Sequence, residues 1–371
     1  MEGLRGFAVL LVFLVHYDAL FSNFAPSESL TSRLSRLGAA TGNAGVDLFF
    51  VISGYLIYKI LLTRKIAMRD FVARRIERIY PTFLCVFALY AVAAIAFGGD
   101  GKLKWEAPGL FKYIVENLLL LPGMLQIIPV ITVAWSLSYE FFFYLALPLL
   151  FILFGIREWQ RAARILFFTG LILLHLSLSA VAAAGHLRLL MFVTGVLFYE
   201  LSESSLLKLK LGRRGEIVTL VTFCLGLLAA GWLSLHKAKL IGADPFAGGA
   251  PILRLFILST TTITFMLYTC CFDGLLKRVF CLTPIRWLGN MSYSYYLIHG
   301  GALHAFRLLL HVVCPLSTQS ALWYWAILPA SVAITIFASI PVFVLVEKPF
   351  SLHLPIVGSP SSSSDRNLAG A

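Results

Sequence analysis

Apolar residues occupy this chain in blocks too long for one buried face of a soluble helix, and polar residues are mostly confined to the gaps between them. A membrane-spanning helix needs about 20 predominantly apolar residues. On that length the pattern predicts about ten spans, near residues 4–22, 45–62, 82–98, 134–155, 165–184, 188–203, 216–235, 251–272, 288–310 and 324–346. A shorter apolar run, 114–131, is broken by Pro122, Gly123 and Pro129 and reads as re-entrant or interfacial, not as a crossing. The expected fold class is therefore all-α, a polytopic membrane helix bundle. An even number of spans puts both termini on one side.

Composition supports that class and removes others. Of 371 residues, 59% are hydrophobic and 13% charged, where soluble domains average about 25% charged. Arg5 lies inside the first apolar block, no small-residue cleavage site follows, and many spans come later, so this block reads as a retained helix and not a signal peptide. The 30 Lys and Arg exceed the 18 Asp and Glu, yet the basic residues sit in short loops and report topology, with no nucleic-acid partner expected. One set of loops holds Arg64, Lys65, Arg69, Arg74, Arg75, Arg78, Arg157, Arg161, Arg164, Lys208, Lys210, Arg213, Arg214, Lys277, Arg278 and Arg286. The opposite set holds Arg33, Arg36, Lys102, Lys104, Lys112, Arg188, Lys237 and Lys239. The richer side is the cytoplasmic one, which places both termini there. The six cysteines lie in or beside apolar runs without metal-ligand spacing and read as small core residues. Residues 1–350 form the membrane domain on this reading, and the Ser-rich stretch 351–371 is expected to be a disordered cytoplasmic tail.

Ionisable groups at membrane depth are expensive and mark function by default. Arg5 and His16 are eleven residues apart, so on a helix they share a face and differ by roughly 16 Å in depth. Snorkelling of Arg5 and interfacial capping by His16 are the plainer readings. Asp47 begins the second span near the outer level, and Glu140 lies about two turns inside the fourth, so the depths predict both carboxylates converging on His16. An acidic partner on Nδ1 would orient the imidazole and raise its basicity as a general base. Against this, Asp47 could be an N-cap and Glu140 could pair with another cation. In FVARRIERIYP, Arg74, Arg75 and Arg78 present guanidiniums side by side on a helix, a geometry that suits phosphate oxygens. The ordinary explanation is a topogenic basic flank. Pro81 then falls where the third span would begin, in a helix's first turn.

Six segments match a known pattern in order: GLRGFAVLLVFLVHY with Arg5 and His16, GVDLFFVISGYLI, Arg75-x-x-Arg78-Ile-Tyr-Pro, WSLSYEFFFYLALP, WLGNMSYSYYLIH and VEKPF. The chain resembles the acyltransferase-3 family of integral membrane proteins over nearly its whole length. The resemblance implies about ten transmembrane helices in a bacterial inner membrane, and transfer of an acyl group, usually acetyl from cytoplasmic acetyl-CoA, to a hydroxyl on a glycan or small molecule. It implies a catalytic role for His16 with Arg5 beside it, a nucleotide-binding role for Arg75 and Arg78, and site roles for Glu140, Ser292, Tyr293 and His299. A plain core role for His299 remains open. Direct attack by the acceptor and an acyl-histidine intermediate are both open. Family members carry several residues ahead of the first motif, so a start upstream of Met1 is expected. Some carry a soluble domain after the bundle, which this chain lacks, so a second transfer step by the same polypeptide is not expected. The alternative of another class is a transporter or flippase of a polar substrate, disfavoured because no inverted repeat is evident.

Overall fold

Backbone N–H and C=O groups in hydrocarbon must be satisfied within their own segment, so apolar runs of this length fold as helices. The computed structural model describes residues 1–97, 109–125, 127–182, 186–204, 212–241, 249–313 and 320–352, and among them no strand occurs. In chain order the helices are α1 Glu2–Phe21, α2 Leu30–Gly42, α3 Ala44–Thr63, α4 Met68–Phe97 and α5 Leu110–Leu118. There follow α6 Trp135–Phe154, α7 Arg161–Ala182, α8 Leu189–Ser202, α9 Arg213–Ile241 and α10 Gly249–Cys271. The chain continues with α11 Leu275–Phe280, α12 Thr283–Asn290, α13 Ser292–Val313 and α14 Ala321–Val342, the last running on as a π-helical segment, Phe343–Leu352.

The architecture is a polytopic helical bundle in which, among the described residues, eight helical stretches are long and apolar enough to cross a membrane. The ten expected differ by α8 and α13. α8 has only 14 residues, and α13 has 22 but includes His299, His304, Arg307 and His311. Both pack against several other helices: α8 among α3, α7 and α10, and α13 against α1, α4 and α14, with its first half buried and Leu308, Leu309 and Val312 of its second half exposed. Met191, Phe192 and Val196 of α8, and Tyr295, Leu297, His299 and Leu303 of α13, have no exposed surface. A helix surrounded by protein, as α8 is, need not reach full span length, and the buried first half of α13 can carry His299 without exposing it to lipid.

The α3–α8 contact depends on two glycines. A Cβ on Gly54 would run into the carbonyl of Phe192, and one on Gly195 into the carbonyl of Val51. Small residues at a membrane helix crossing let backbones approach and strengthen dispersion contacts. This fixes α3, which carries Ser53 and Asp47, against the bundle core.

Three local expectations change. Arg74, Arg75 and Arg78 lie on a helix as expected, but that helix, α4, starts at Met68 and is continuous with the third span, so Pro81 sits inside a 30-residue helix and not in a first turn. The missing N–H of Pro81 leaves the carbonyl of Glu77 without its helical donor. A helix, α2, occupies the loop that bears Arg33 and Arg36, capped where Ser29 Oγ accepts from Ser32 N–H at 3.1 Å. The broken run 114–131 contains only the end of α5, then irregular chain with Leu120 at φ 56°. Buried Asn117 pins that chain, accepting from Val130 N–H at 2.8 Å and donating to the Tyr113 carbonyl at 3.0 Å. Cys85, Cys224, Cys270, Cys271 and Cys281 form no disulfide among the described residues, and Cys224, Cys271 and Cys281 are exposed and so not the core residues expected; Cys314 lies outside the described residues. The expected tail from 351 also lies outside them, apart from Ser351 and Leu352, which are π-helical.

Candidate active site

Arg75 and Arg78 are three apart on α4, so one face of that helix presents both guanidiniums. α1 brings Arg5 to the same place, and the three arginines line one cavity of roughly 750 Å3 including its open mouth. Ser53 of α3, Ser136, Glu140 and Tyr144 of α6, and Ser292, Tyr293 and Tyr296 of α13 complete the polar part of its wall. Arg74 and Asp47 are not among the lining residues, nor are His16 and His299.

Each cation is held differently. Arg78 pairs with Glu347 at 2.9 Å and lies over the Tyr293 ring at 5.8 Å. Glu347 is fully buried, and its other carboxylate oxygen accepts from the backbone N–H and hydroxyl of Ser294, at 3.0 and 2.6 Å. The carboxylate thus sits at the N-terminus of α13, where the helix dipole favours negative charge. Arg75 lies between the rings of Phe71 and Tyr144, at 5.2 and 5.5 Å, and its buried Nε–H has no hydrogen-bond partner. Arg5 feels the like charge of Arg78 and the opposite charges of Glu140 and Glu347 through space. Glu140 accepts from Ser53 Oγ at 2.8 Å and from the Tyr144 hydroxyl. Three guanidiniums against Glu140 and Glu347 leave the site with one formal positive charge in excess, and burial magnifies its pull on an anion.

The predicted convergence of Asp47, Glu140 and His16 does not occur. Asp47 is bound by Arg254 at 2.7 Å and Arg188 at 3.5 Å, and Glu140 faces the arginine cavity. The partner of His16 is another histidine: His16 Nδ1 lies 3.2 Å from His299 Nε2 and 3.1 Å from the Val12 carbonyl. The shared face of Arg5 and His16 also does not make a shared cavity, because eleven residues of helix separate them by roughly 16 Å. Between them stands Tyr296, which lines the cavity while its ring lies 6.1 Å from that of His299 and 5.9 Å from that of Phe49. The Tyr296 hydroxyl is held to Ser136 Oγ at 2.7 Å.

Glu347 and Arg254 were missed by the sequence reading. Arg254 is a lone charge in the apolar run PILRLFIL, and Glu347 stands beside Lys348 in VLVEKPF; charges set into apolar runs were the available signal.

A model of the acyltransferase-3 family, described as an acyltransferase domain, matches residues 1–344. YrhL of Bacillus subtilis (strain 168) is 27% identical over 333 residues, 81% of this chain and 47% of that protein. The peptidoglycan O-acetyltransferase OatA of Listeria monocytogenes serovar 1/2a is 26% identical over 330 residues, 81% of this chain and 48% of that protein. The O-acetyltransferase OatA of Staphylococcus aureus (strain NCTC 8325 / PS 47) is 25% identical over 338 residues, covering 81% and 49%. The chain spans about half the length of the curated relatives it matches. No solved structure matches it.

Proposed function

Because the chain belongs to the acyltransferase-3 family, we propose that it is a membrane-embedded O-acyltransferase moving an acyl group, acetyl in the first instance, from cytoplasmic acyl-CoA to a hydroxyl of a cell-surface glycan. The carrying observation is the cavity shared by Arg5, Arg75 and Arg78, with the buried Nε–H of Arg75 left unpartnered. A buried donor without an acceptor is costly unless a ligand supplies one, and CoA phosphates are strong acceptors for guanidinium N–H groups. On this reading the phosphates stay with the arginines, in a bacterial inner membrane with both termini cytoplasmic. The flexible pantetheine arm carries the thioester past Tyr296 toward His16. His16 takes the proton of the acceptor hydroxyl, the oxygen attacks the thioester carbonyl, and the C–S bond breaks. CoA leaves as a thiolate and takes up the proton held by the imidazole. Arg5, roughly 16 Å along α1 from His16, holds the donor and does not reach an oxyanion formed beside His16. General-base action of this kind contributes typically 10²- to 10⁴-fold.

The three relatives carry names that state peptidoglycan O-acetylation or O-acetylation, which makes peptidoglycan the first acceptor to examine, ahead of lipopolysaccharide O-antigen, other polysaccharides and small hydroxylated metabolites. The test is mass spectrometry of surface glycans from strains that lack the protein, carry it intact, or carry His16→Ala at equal membrane abundance. O-acetyl groups that appear only with the intact protein support the reading. Normal acetylation by His16→Ala removes His16 from the chemistry, and unchanged glycans in all three strains argue against a glycan acceptor.

A further inference from the structure

Imidazole has two distinct nitrogens, and which one carries the proton is set by the hydrogen bonds around the ring. His299 Nδ1 faces two carbonyl oxygens of its own helix, Tyr295 at 3.0 Å and Tyr296 at 2.9 Å. Carbonyls only accept, so this nitrogen carries the proton. A neutral His299 then keeps its lone pair on Nε2, which points at Nδ1 of His16 at 3.2 Å. The other neighbour of that Nδ1 is the Val12 carbonyl at 3.1 Å, also an acceptor. Both partners of His16 Nδ1 accept, so the proton sits on Nδ1 and the lone pair on Nε2.

His299 is itself locked in place. It has no exposed surface, its ring is parallel to that of Tyr295 within 6° at 5.4 Å, and the Tyr295 hydroxyl is tied to Thr335 Oγ1 at 3.0 Å. The two imidazoles meet at 90° with centroids 4.8 Å apart.

We propose that His299 is a positioning residue for the transfer reaction: its Nε2 lone pair holds His16 in the Nδ1–H tautomer, which presents His16 Nε2 as the base toward the acceptor hydroxyl. The assignment rests on the acyltransferase reading for the reaction, though not for the tautomer. When His16 Nε2 takes the hydroxyl proton, the Nδ1–H bond to His299 becomes charge-assisted and stronger. His299 therefore stabilises the state with the proton transferred more than the resting state, which is the requirement for a rate effect. It occupies the place that a carboxylate holds in a Ser-His-Asp triad. Asp47 and Glu140 are committed elsewhere.

The test reads the tautomer directly, by 15N NMR of the full chain labelled with 15N-histidine in detergent micelles, with the His16 signals assigned by their loss in His16→Gln. In the wild type, Nδ1 of His16 is expected in the protonated range and Nε2 in the unprotonated range. His299→Phe keeps a ring against Tyr295 but removes the acceptor. It should give mixed His16 tautomers and lower kcat about 10²-fold or more, with KM for acyl-CoA changed by less than about threefold. His299→Gln restores an acceptor oxygen near the Nε2 position and should recover about tenfold or more of that loss. Wild-type His16 protonated on Nε2, or a His299→Phe variant that keeps both tautomer and rate, overturns the proposal. Should His299→Phe fail to accumulate, the wild-type tautomer and the His299→Gln rate decide. The spectrum does not depend on transfer, so a correct tautomer in a protein that acetylates nothing would sink the acyltransferase reading alone.

Discussion

Glu347→Gln is the perturbation with the sharpest expected outcome. The substitution keeps the side-chain volume and an acceptor oxygen for Ser294, and removes only the charge opposite Arg78. Glu347 has no exposed side-chain surface, while Arg78 is 25% exposed. Removing one partner of a fully buried pair costs about 3–5 kcal/mol. Water that reaches Arg78 lowers this to about 2–3 kcal/mol of folding stability. The functional effect has its own magnitude. If Arg78 loses its anchor, one charge-assisted bond to a donor phosphate goes with it, about 1.5–3 kcal/mol. That converts to roughly 10- to 100-fold weaker CoA binding. Calorimetry of CoA binding to the whole protein in detergent measures the second effect and thermal unfolding the first. In an Arg78→Ala background the same substitution should change CoA affinity little, because both act through one contact. CoA binding unchanged or tightened in Glu347→Gln refutes the reasoning: it would mean that the carboxylate competes with phosphate for Arg78 and does not hold it in place.

Arg75→Ala removes the guanidinium whose Nε–H is unpartnered, and KM for acyl-CoA should rise roughly 10- to 100-fold with a smaller change in kcat; steady-state kinetics with an unchanged KM would clear Arg75 of donor binding. Asp47→Asn should lower stability by about 1–3 kcal/mol, because Arg254 and Arg188 lose their shared buried counter-charge. KM for acyl-CoA should stay put, so a variant that melts like the wild type but loses acyl-CoA affinity contradicts the structural role. Gly54→Ala forces a Cβ into the Phe192 carbonyl and should destabilise by about 1–3 kcal/mol, a loss visible in thermal unfolding, whereas a melt equal to wild type would show that α3 and α8 separate without penalty.

Helix depth was legible in the sequence because rise per residue is fixed, and the α1, α3 and α6 residues could be ranked by level from counting alone. Azimuth was not. His16, Asp47 and Glu140 were placed at similar heights, yet they face three different neighbours: His299, Arg254 and the arginine cavity. Counting along one helix says nothing about which other helix stands opposite. The same gap hid Glu347, whose partner Arg78 lies on α4. Pro81 misled for a different reason: proline favours a first turn, but here α4 carries it mid-helix. Polarity misled for α13, since its first half packs within protein and there buries His299, a side chain that a lipid-facing surface would exclude.

That polar helix also explains how the two halves of the site are kept in register. Ser292 and Tyr293 line the arginine cavity, Ser294 binds the carboxylate that pairs with Arg78, Tyr296 forms the wall, and His299 meets His16. All fall within eight consecutive residues, roughly 10 Å of helix. Facing it, α1 covers roughly 16 Å with Arg5 at one end and His16 at the other. Two helices thus share the cavity at one level and the histidine pair at the next. Shifting α13 by one residue turns each side chain by about 100°, which would release Glu347 and uncouple His299 together. Donor grip and base orientation are therefore not independent traits of this fold, and loss of one through a backbone shift should carry the other with it.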